Sequence, residues 1–170
     1  MKFRLLLTIS ALVLTGCFAS KAEIGITNPS FKHENFMPAK FTCDGAGFSP
    51  LLKLSGIPGE AQSLALIVDD PDASAGEFAH WVVYNIDPTL NKIPKDRIPR
   101  GGVLGVNSAG DQNFFPPCPP PGSGPHRYFY KIYAVDMLLQ FEEPPTKETV
   151  MDAIKGKILG YGEIMGKYER

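Results

Sequence analysis

The sequence predicts one mainly β domain with little helix. The chain has 170 residues, and its 16 prolines and 17 glycines are scattered between short apolar runs rather than gathered in a repeat. This distribution is typical of a loop-rich β fold. Hydrophobic residues make up 44% of the chain, so it can bury an ordinary core. The net charge of -1, without a basic tail or face, gives no support for nucleic-acid binding.

The first residues indicate export. "MKFR" is a short basic start, and the apolar run that follows it ends in "LTGC". The run is too short to span a bilayer, and its end resembles a bacterial lipoprotein signal. We therefore expect a lipoprotein-type signal peptide over residues 1–16, a lipid on Cys17, a tether over residues 17–24 and a domain over residues 25–170. Cleavage near Ala22, which would release a soluble secreted protein, is the alternative.

Export leaves an even pair of cysteines, Cys43 and Cys118, in an oxidising compartment. A disulfide between them is the favoured interpretation, and it would contribute about 3–4 kcal/mol by closing a long loop. A catalytic thiol is the alternative, although no partner for it is evident. A metal site is not expected, because no four ligands have a recognisable spacing, and no cofactor is expected either.

The predicted strands follow one another along the chain. Residues 31–45, "FKHENFMPAKFTCDG", mix apolar runs with polar breaks, as in an edge strand and a turn. The strand that opens residues 63–73 is apolar throughout, which indicates burial on both faces, and residues 79–87 form the next strand. Residues 91–113 are predicted as loop, because their prolines exclude a central strand. Residues 126–136 are rich in aromatic and β-branched side chains and predict another strand.

One helix is predicted after "EEPP". Thr146 is its expected N-cap, Glu148 lies in its first turn, and apolar residues line one face as far as Ile154. Gly156 is expected to end it. The closing segment, residues 157–169, predicts a last strand with bulges at its glycines.

Polar side chains collect where buried strands begin and end. Asp70 and Asp72 follow one strand and His80 opens the next. His126 and Tyr128 open a third and share a face, because residues two apart in a strand point to the same side. Two histidines and a tyrosine offer several hydrogen-bond donors, and an aspartate can position one imidazole. The set suits a small anion, although a histidine alone is more often an ordinary polar residue and Asp-Pro-Asp alone is usually a turn.

Three motifs together resemble a known family. "DDPDA", "AHWVVYNI" and "CPPPGSGPHRYFYKIYAVD", with "TCDGAGFSPLL" and "AIKGKILGYGEIMGKYE", are similar to phosphatidylethanolamine-binding proteins, also called Raf kinase inhibitor-like proteins. The resemblance is greatest to the bacterial branch and covers about residues 25–168. It implies an antiparallel β-sandwich with one or two short helices and a small anion pocket at one edge.

The resemblance also implies which residues form the pocket and what they bind. The implied ligand-binding residues are Asp70, His80, Pro119, Pro120, His126 and Tyr128. The prolines would form a rigid wall, which loses little entropy when an anion binds. The implied ligand is a phosphate-type anion or a phospholipid head group. Two departures from the family pattern, Ser74 for a proline and Pro116 for a glycine, are expected to alter the loop and the pocket rim.

Together these observations predict a non-catalytic binding protein of the bacterial cell envelope. A lipid on Cys17 would anchor it, facing the periplasm or the surface, and an unidentified protein partner is a further expectation. One alternative is a hydrolase that uses His80 and His126 as acid and base with Asp70 behind them, but no serine or metal motif supports it. Another is an interaction-only lipoprotein. A charged histidine would strengthen anion binding, so the affinity is expected to rise as the pH falls from about 8 to 6.

Overall fold

The computed structural model describes residues 21–170, so the predicted signal peptide and the lipid site at Cys17 lie outside the described residues. A short 3-10 helix (Ala39–Phe41) lies between the second and third strands. The other elements are, in order, β1 (Ala22–Glu23), β2 (Gly25–Thr27), β3 (Leu52–Ser55), β4 (Ser63–Asp70), β5 (Phe78–Ile86), β6 (Lys92–Ile93), β7 (Val103–Leu104), β8 (His126–Val135), α1 (Lys147–Ala153) and β9 (Ile158–Tyr168).

The strands form two sheets. The larger has the order β1-β9-β8-β4-β5-β7 and the smaller has the order β2-β3-β6. The mainly β fold is therefore confirmed, with one difference from a purely antiparallel arrangement. Strand β1 pairs with β9 in parallel, through Ala22 with Gly160 and Glu23 with Tyr161. Sheet pairing thus begins at Ala22, within the segment expected to be a tether.

The larger sheet is covered on both faces. On one face, Leu66 and Val68 of β4 belong to a core cluster that also holds Leu52 and Leu54 of the smaller sheet. On the other face, Ile67 of β4 packs in a second cluster with residues of α1. Every residue of β4 is buried as a result. This explains why residues 64–68 of the strand are apolar throughout and do not alternate.

Two loop segments differ from their predicted structure. Residues 31–45 form turns and the 3-10 helix, with a single bridge from Phe36 to Lys167, so the expected edge strand is wrong. Pro38 precedes the 3-10 helix and cannot donate to a strand ladder, and Phe41 turns into the core instead. Residues 91–113 are mostly loop, as predicted, but contain the two-residue strands β6 and β7.

The glycines of β9 differ in their roles. The pairing of β9 with β8 shifts register beside Gly160, because Ala134 pairs with Gly160 and Val135 with Ile158, which leaves Leu159 as an extra residue of β9, an irregularity of the predicted kind. The pairing is regular at Gly162 and Gly166, where no bulge forms. Gly162 is required by close approach instead, because a Cβ there would lie 1.9 Å from the carbonyl oxygen of Ile24. A larger residue would separate β9 from the residue that joins β1 to β2.

The helix begins as predicted. The Thr146 hydroxyl accepts a hydrogen bond from the backbone N–H of Thr149, which satisfies one free donor of the first turn. The helix ends at Ala153, and Gly156, at φ 76°, lies in the turn that leads to β9. No helix within residues 21–170 combines the length and the apolar character needed to cross a membrane.

Candidate functional site

All six residues predicted to bind a ligand line one cavity of about 210 Å³. The cavity lies where the end of β4 meets the beginnings of β5 and β8, and a proline-rich loop closes its side. Strand β4 pairs with both β5 and β8, which brings Asp70, His80 and His126 together although they are far apart in the sequence. The remaining lining residues are Ala73, Ser74, Phe78, Phe115 and Cys118.

His126 is held by a buried carboxylate. Its Nδ1 lies 2.7 Å from Oδ2 of Asp70, and both side chains are less than a tenth exposed. The other carboxylate oxygen of Asp70 accepts a hydrogen bond of 2.8 Å from the backbone N–H of Asp72. Because the carboxylate is an acceptor, it keeps a proton on Nδ1 and leaves Nε2 for other contacts.

The next residue of β8 points away from the cavity. Arg127 is exposed and forms two side-chain hydrogen bonds with the carboxylate of Asp72, at 2.8 and 2.7 Å. These bonds hold the pKa of Asp72 below its ordinary value. The pair fixes the turn after β4 to the start of β8, on the outer side of the cavity.

His80 presents one ring nitrogen to a ligand. Its Nδ1 lies 2.7 Å from the carbonyl oxygen of Phe115 and donates to it, so only Nε2 is available. The ring packs between aromatic side chains, with the Phe78 and Tyr128 rings 4.8 and 5.2 Å away between centroids. Burial lowers the pKa of His80 below its ordinary value. The ring is therefore neutral at neutral pH, and its Nε2 then acts as an acceptor.

Tyr128 supplies an unpaired donor. Its side chain is fully buried, and no protein group among residues 21–170 forms a hydrogen bond with its hydroxyl. Burial, with a contribution from Asp70, raises the pKa of Tyr128, so the phenol keeps its proton. A buried polar group without a partner is costly and rare. The hydroxyl is therefore the clearest sign that the cavity has a ligand.

The proline-rich loop is fixed to the rest of the molecule at its beginning. Cys43 and Cys118 form a disulfide with a Cα–Cα distance of 5.3 Å, which confirms the predicted pair. The backbone N–H of Cys43 also donates to the carbonyl of Pro117 at 3.0 Å, and that of Phe115 donates to His80 at 2.8 Å. Cys118 and the prolines after it therefore form a preorganised wall.

The two departures from the family pattern affect different places. Ser74 is exposed and lines the cavity, so it does form part of the rim. Pro116 does not line the cavity, and its ring packs against Gly47 instead. Of the two departures, Ser74 is therefore the one that changes the rim of the cavity.

Sequence reasoning missed three residues of the site. Phe78 and Phe115 supply apolar wall, and the Ser123 hydroxyl lies 3.1 Å from Nε2 of His126. The only signal for Ser123 was its place in a glycine-rich turn three residues before His126. Its contact with the histidine depends on how that turn folds, which the spacing alone does not determine.

A second, larger cavity of about 340 Å³ lies elsewhere, beside Trp81 and Phe114. Its polar side chains Asp96, Arg97 and Gln112 are exposed to solvent, and the buried Ser49 hydroxyl already accepts a hydrogen bond of 3.0 Å from the backbone N–H of Asp96. The smaller cavity carries buried titratable groups and an unpaired buried hydroxyl, so we assign the functional site to it.

Comparison with known proteins gives consistent matches over the described domain. The family model for phosphatidylethanolamine-binding proteins matches residues 27–169. A UPF0098 protein of Methanothermobacter thermautotrophicus is 42% identical over 146 residues, which is 83% of this chain and 95% of the relative. A UPF0098 protein of Chlamydia muridarum is also 42% identical, over 85% of this chain and 98% of the relative.

Solved structures show the same similarity in three dimensions. A phosphatidylethanolamine-binding protein homologue from Chlamydia trachomatis superposes with a TM-score of 0.81 at 38% identity, covering 87% of this chain and 98% of its own. E. coli YbcL, described as a member of the mammalian PEBP family, has a TM-score of 0.81 at 29% identity and covers 88% and 99%.

Proposed function

Because the chain belongs to the phosphatidylethanolamine-binding protein family, we propose that its cavity binds a small phosphate-type anion, either free or as the head group of a phospholipid. Family membership supports a binding role in general. The phosphate specificity is our inference from the donors in the cavity.

The observation that carries the proposal is the Tyr128 hydroxyl. It is a buried donor without a protein partner, and a phosphate oxygen is a strong acceptor for it. The Nε2 atoms of His80 and His126 are the other ring nitrogens not held by Phe115 or Asp70. Each would donate to the anion when its ring is protonated. Three donors from two strands would then surround one phosphate group.

The buried carboxylate does not prevent anion binding. Both oxygens of Asp70 already accept hydrogen bonds, one from His126 and one from the backbone of Asp72. Its charge is therefore directed toward the imidazole and not into the cavity. Asp70 acts behind His126 and does not contact the anion.

The walls suit a small ligand held weakly. The cavity is smaller than the roughly 300–1,000 Å³ of typical drug-sized sites. The rings of Phe78 and Phe115 and the prolines of the loop supply apolar surface beside the donors. A few hydrogen bonds, less the entropy of capture, imply a dissociation constant between about micromolar and millimolar.

We also propose that this binding takes place in the cell envelope. The support is the sequence "MKFR", the apolar run and "LTGC", which together resemble a lipoprotein signal. A lipid on Cys17 would hold the cavity near phospholipid head groups. A single acyl chain binds membranes only marginally, so stable attachment through Cys17 would require more than one acyl chain.

The test is an NMR titration of the two cavity histidines. Inorganic phosphate and glycerophosphoethanolamine, added to ~10 mM, should shift the ring signals of His80 and His126 in a saturable way. If glycerophosphoethanolamine, a phosphodiester, saturates the shifts at the lower concentration, the ligand is a phospholipid head group. If inorganic phosphate does so, the ligand is a free anion. The absence of any shift with both compounds would overturn the proposal.

Variants separate binding from folding. His126→Ala should weaken binding about ten- to 150-fold, as expected for one hydrogen bond to a charged group. Asp70→Asn should weaken it through the loss of the charge behind the imidazole. His33→Ala is the matched control, because His33 is half exposed and does not line the cavity. All three variants should remain folded by circular dichroism.

A further inference from the structure

Ser123, His126 and Asp70 form a continuous line of hydrogen-bonding atoms. The Ser123 Oγ lies 3.1 Å from His126 Nε2, and His126 Nδ1 lies 2.7 Å from Asp70 Oδ2. This is the order of contacts found in a nucleophile, its general base and the acid that orients the base. We infer that the protein also cleaves carboxylic esters, with Ser123 as nucleophile and His126 as base. This activity goes beyond anion binding and does not depend on it.

Burial and exposure are distributed as this chemistry requires. Asp70 and His126 are buried, so the ion–imidazole contact is shielded from water. Ser123 is exposed at the tip of the loop, between Gly122 and Gly124, whose φ values are 77° and 80°. The serine thus stands on a tight turn that presents its hydroxyl to solvent. It also contacts two residues of the cavity wall, Pro120 and His126.

The single hydroxyl proton of Ser123 has three possible acceptors. It can point to the carbonyls of Pro120 and Gly124, 2.8 and 3.4 Å away, or to His126 Nε2 at 3.1 Å. Since Asp70 keeps the proton of the neutral imidazole on Nδ1, Nε2 carries the lone pair that the serine proton needs. Rotation of one hydroxyl therefore converts the loop hydrogen bond into the reactive arrangement.

The reaction consumes one ester and one water molecule. His126 Nε2 takes the proton of Ser123 while Oγ attacks the ester carbonyl carbon, and the C–O bond to the alcohol breaks. The departing alkoxide takes the proton from Nε2 and leaves as the alcohol. Water then gives a proton to Nε2 and attacks the acylated serine, and Oγ recovers the proton as the acid departs. Asp70 accepts the hydrogen bond from Nδ1 throughout and positions the imidazole.

The cavity limits the substrate to esters with a short group on one side. Its volume is about 210 Å³, and its walls include Phe78, Phe115 and Pro120. A small acyl or alcohol group can lie there while the carbonyl remains near the exposed Ser123. Long chains would have to extend into solvent.

The probe is p-nitrophenyl acetate, used with the full chain. We expect release of nitrophenolate and an acetyl group on the peptide that contains Ser123, found by mass spectrometry after acid quench. Ser123→Ala should lose the acetyl group and lower the rate at least about a hundredfold, to that of the buffer. Ser55→Ala, which removes an exposed serine of β3, should react like the unmodified protein.

Asp70→Asn tests the positioning role. The rate should fall on the order of 10²–10⁴-fold, and the ¹⁵N shifts of the His126 ring should show that the single Nδ1–H tautomer is lost. A Ser123→Ala variant with an unchanged rate, or an acetyl group found only on lysines or histidines, would overturn the inference. Phosphate titration of the same samples reports separately on anion binding, so failure of one proposal is distinguishable from failure of the other.

Discussion

Tyr128 and Asp70 are buried polar residues in one cavity, but their surroundings differ. Both carboxylate oxygens of Asp70 accept hydrogen bonds, whereas the Tyr128 hydroxyl has no partner within residues 21–170. A satisfied buried group contributes to the fold, and an unsatisfied one costs stability until a ligand supplies the missing bond. The cavity therefore combines a rigid hydrogen-bonded pair, Asp70 and His126, with one donor, the Tyr128 hydroxyl, that can bind a ligand.

Replacing Tyr128 by phenylalanine should separate stability from binding. Removal of the unpaired hydroxyl should raise the free energy of unfolding by about 1–2 kcal/mol, because its desolvation is no longer uncompensated. Phosphate affinity should fall about three- to tenfold with the loss of one donor. Urea unfolding and NMR titration measure the two effects.

Tyr130→Phe makes the same chemical change in the core, where the hydroxyl lies 3.6 Å from the sulfur of Met37. This control should leave the affinity unchanged. A Tyr128→Phe protein that is less stable and binds phosphate normally would contradict the assignment of its hydroxyl to the ligand.

The pH dependence of binding follows from His80. Burial lowers its pKa, while the Phe115 carbonyl and Asp70 act in the opposite direction. An anion favours the protonated ring, so the affinity rises as the pH falls, and for His80 this rise extends below its ordinary pKa of about 6.5. The rise in affinity expected from the sequence between pH 8 and 6 should therefore continue to lower pH for this residue.

Dimethyl phosphate is the suitable probe, because its charge does not change in this range. Its affinity should rise by at most about tenfold per pH unit for each linked proton between about pH 7 and 5. His80→Asn should reduce the slope of this profile. A flat profile in the unmodified protein, or an unchanged slope in the variant, would count against a role for His80 in anion binding.

At the scale of elements, a cluster of charges joins β4, β8 and α1 beside the site. The Asp69 carboxylate is almost fully buried, and Lys131 of β8 lies 2.9 Å from it. Lys147 of α1 lies 3.3 Å from the same carboxylate and also pairs with Glu77. Asp69 precedes Asp70 directly, so the cluster fixes the strand end that holds the cavity. Burial raises the pKa of Asp69, and the hydrogen bond from Lys131 opposes that effect.

Lys131→Met should destabilise the protein by about 1–3 kcal/mol at neutral pH, since it leaves a buried carboxylate with fewer partners. The raised pKa fixes the sign of the pH effect: the loss should shrink as the pH falls, because the buried carboxylate takes up a proton at a higher pH than an ordinary aspartate does. Lys53→Met, at an exposed position of β3, should change stability by less than about 0.5 kcal/mol. Equal effects of both variants in urea unfolding at neutral pH would rule out a stabilising role for the cluster.

On the scale of the whole molecule, two sheets and one helix hold a rigid cavity at the edge of the larger sheet. The disulfide between Cys43 and Cys118 joins the segment before β3 to the proline-rich loop, 75 residues later. The wall of the cavity is thus connected to both layers of the fold. The N-terminal end of the described domain is also fixed, because β1 pairs with β9.

Membrane attachment should depend on Cys17, as the "LTGC" sequence predicts. Cys17→Ser should either move the protein out of the membrane fraction or leave the uncleaved precursor, since the lipid acceptor is lost. Ser20→Ala, three residues after Cys17, is the control, and it should be processed normally. A Cys17→Ser protein processed and fractionated like the unmodified one would contradict the lipoprotein prediction.

The sequence by itself determined the main strands, the N-cap of the helix and the cavity residues, because each is marked locally. Apolar runs mark β4 and β5, Thr146 marks the start of α1, and recognisable motifs mark the cavity residues. The disulfide followed from an even pair of cysteines in an exported chain. These features depend on residues close together in the sequence or, for the disulfide, on the number of cysteines.

Only the tertiary structure decided which polar atoms are occupied and which are free. The unpaired hydroxyl of Tyr128, the orientation of His80 by the Phe115 carbonyl and the contact of Ser123 with His126 all depend on where separate segments meet. Gly162 and Gly166 of β9 have the same origin, because the close approach of Ile24 and of the Met37 side chain, and not local bending, requires them. Local sequence patterns identify residues whose side chains can bind or react. Packing between distant segments determines which of their polar atoms remain without a protein partner.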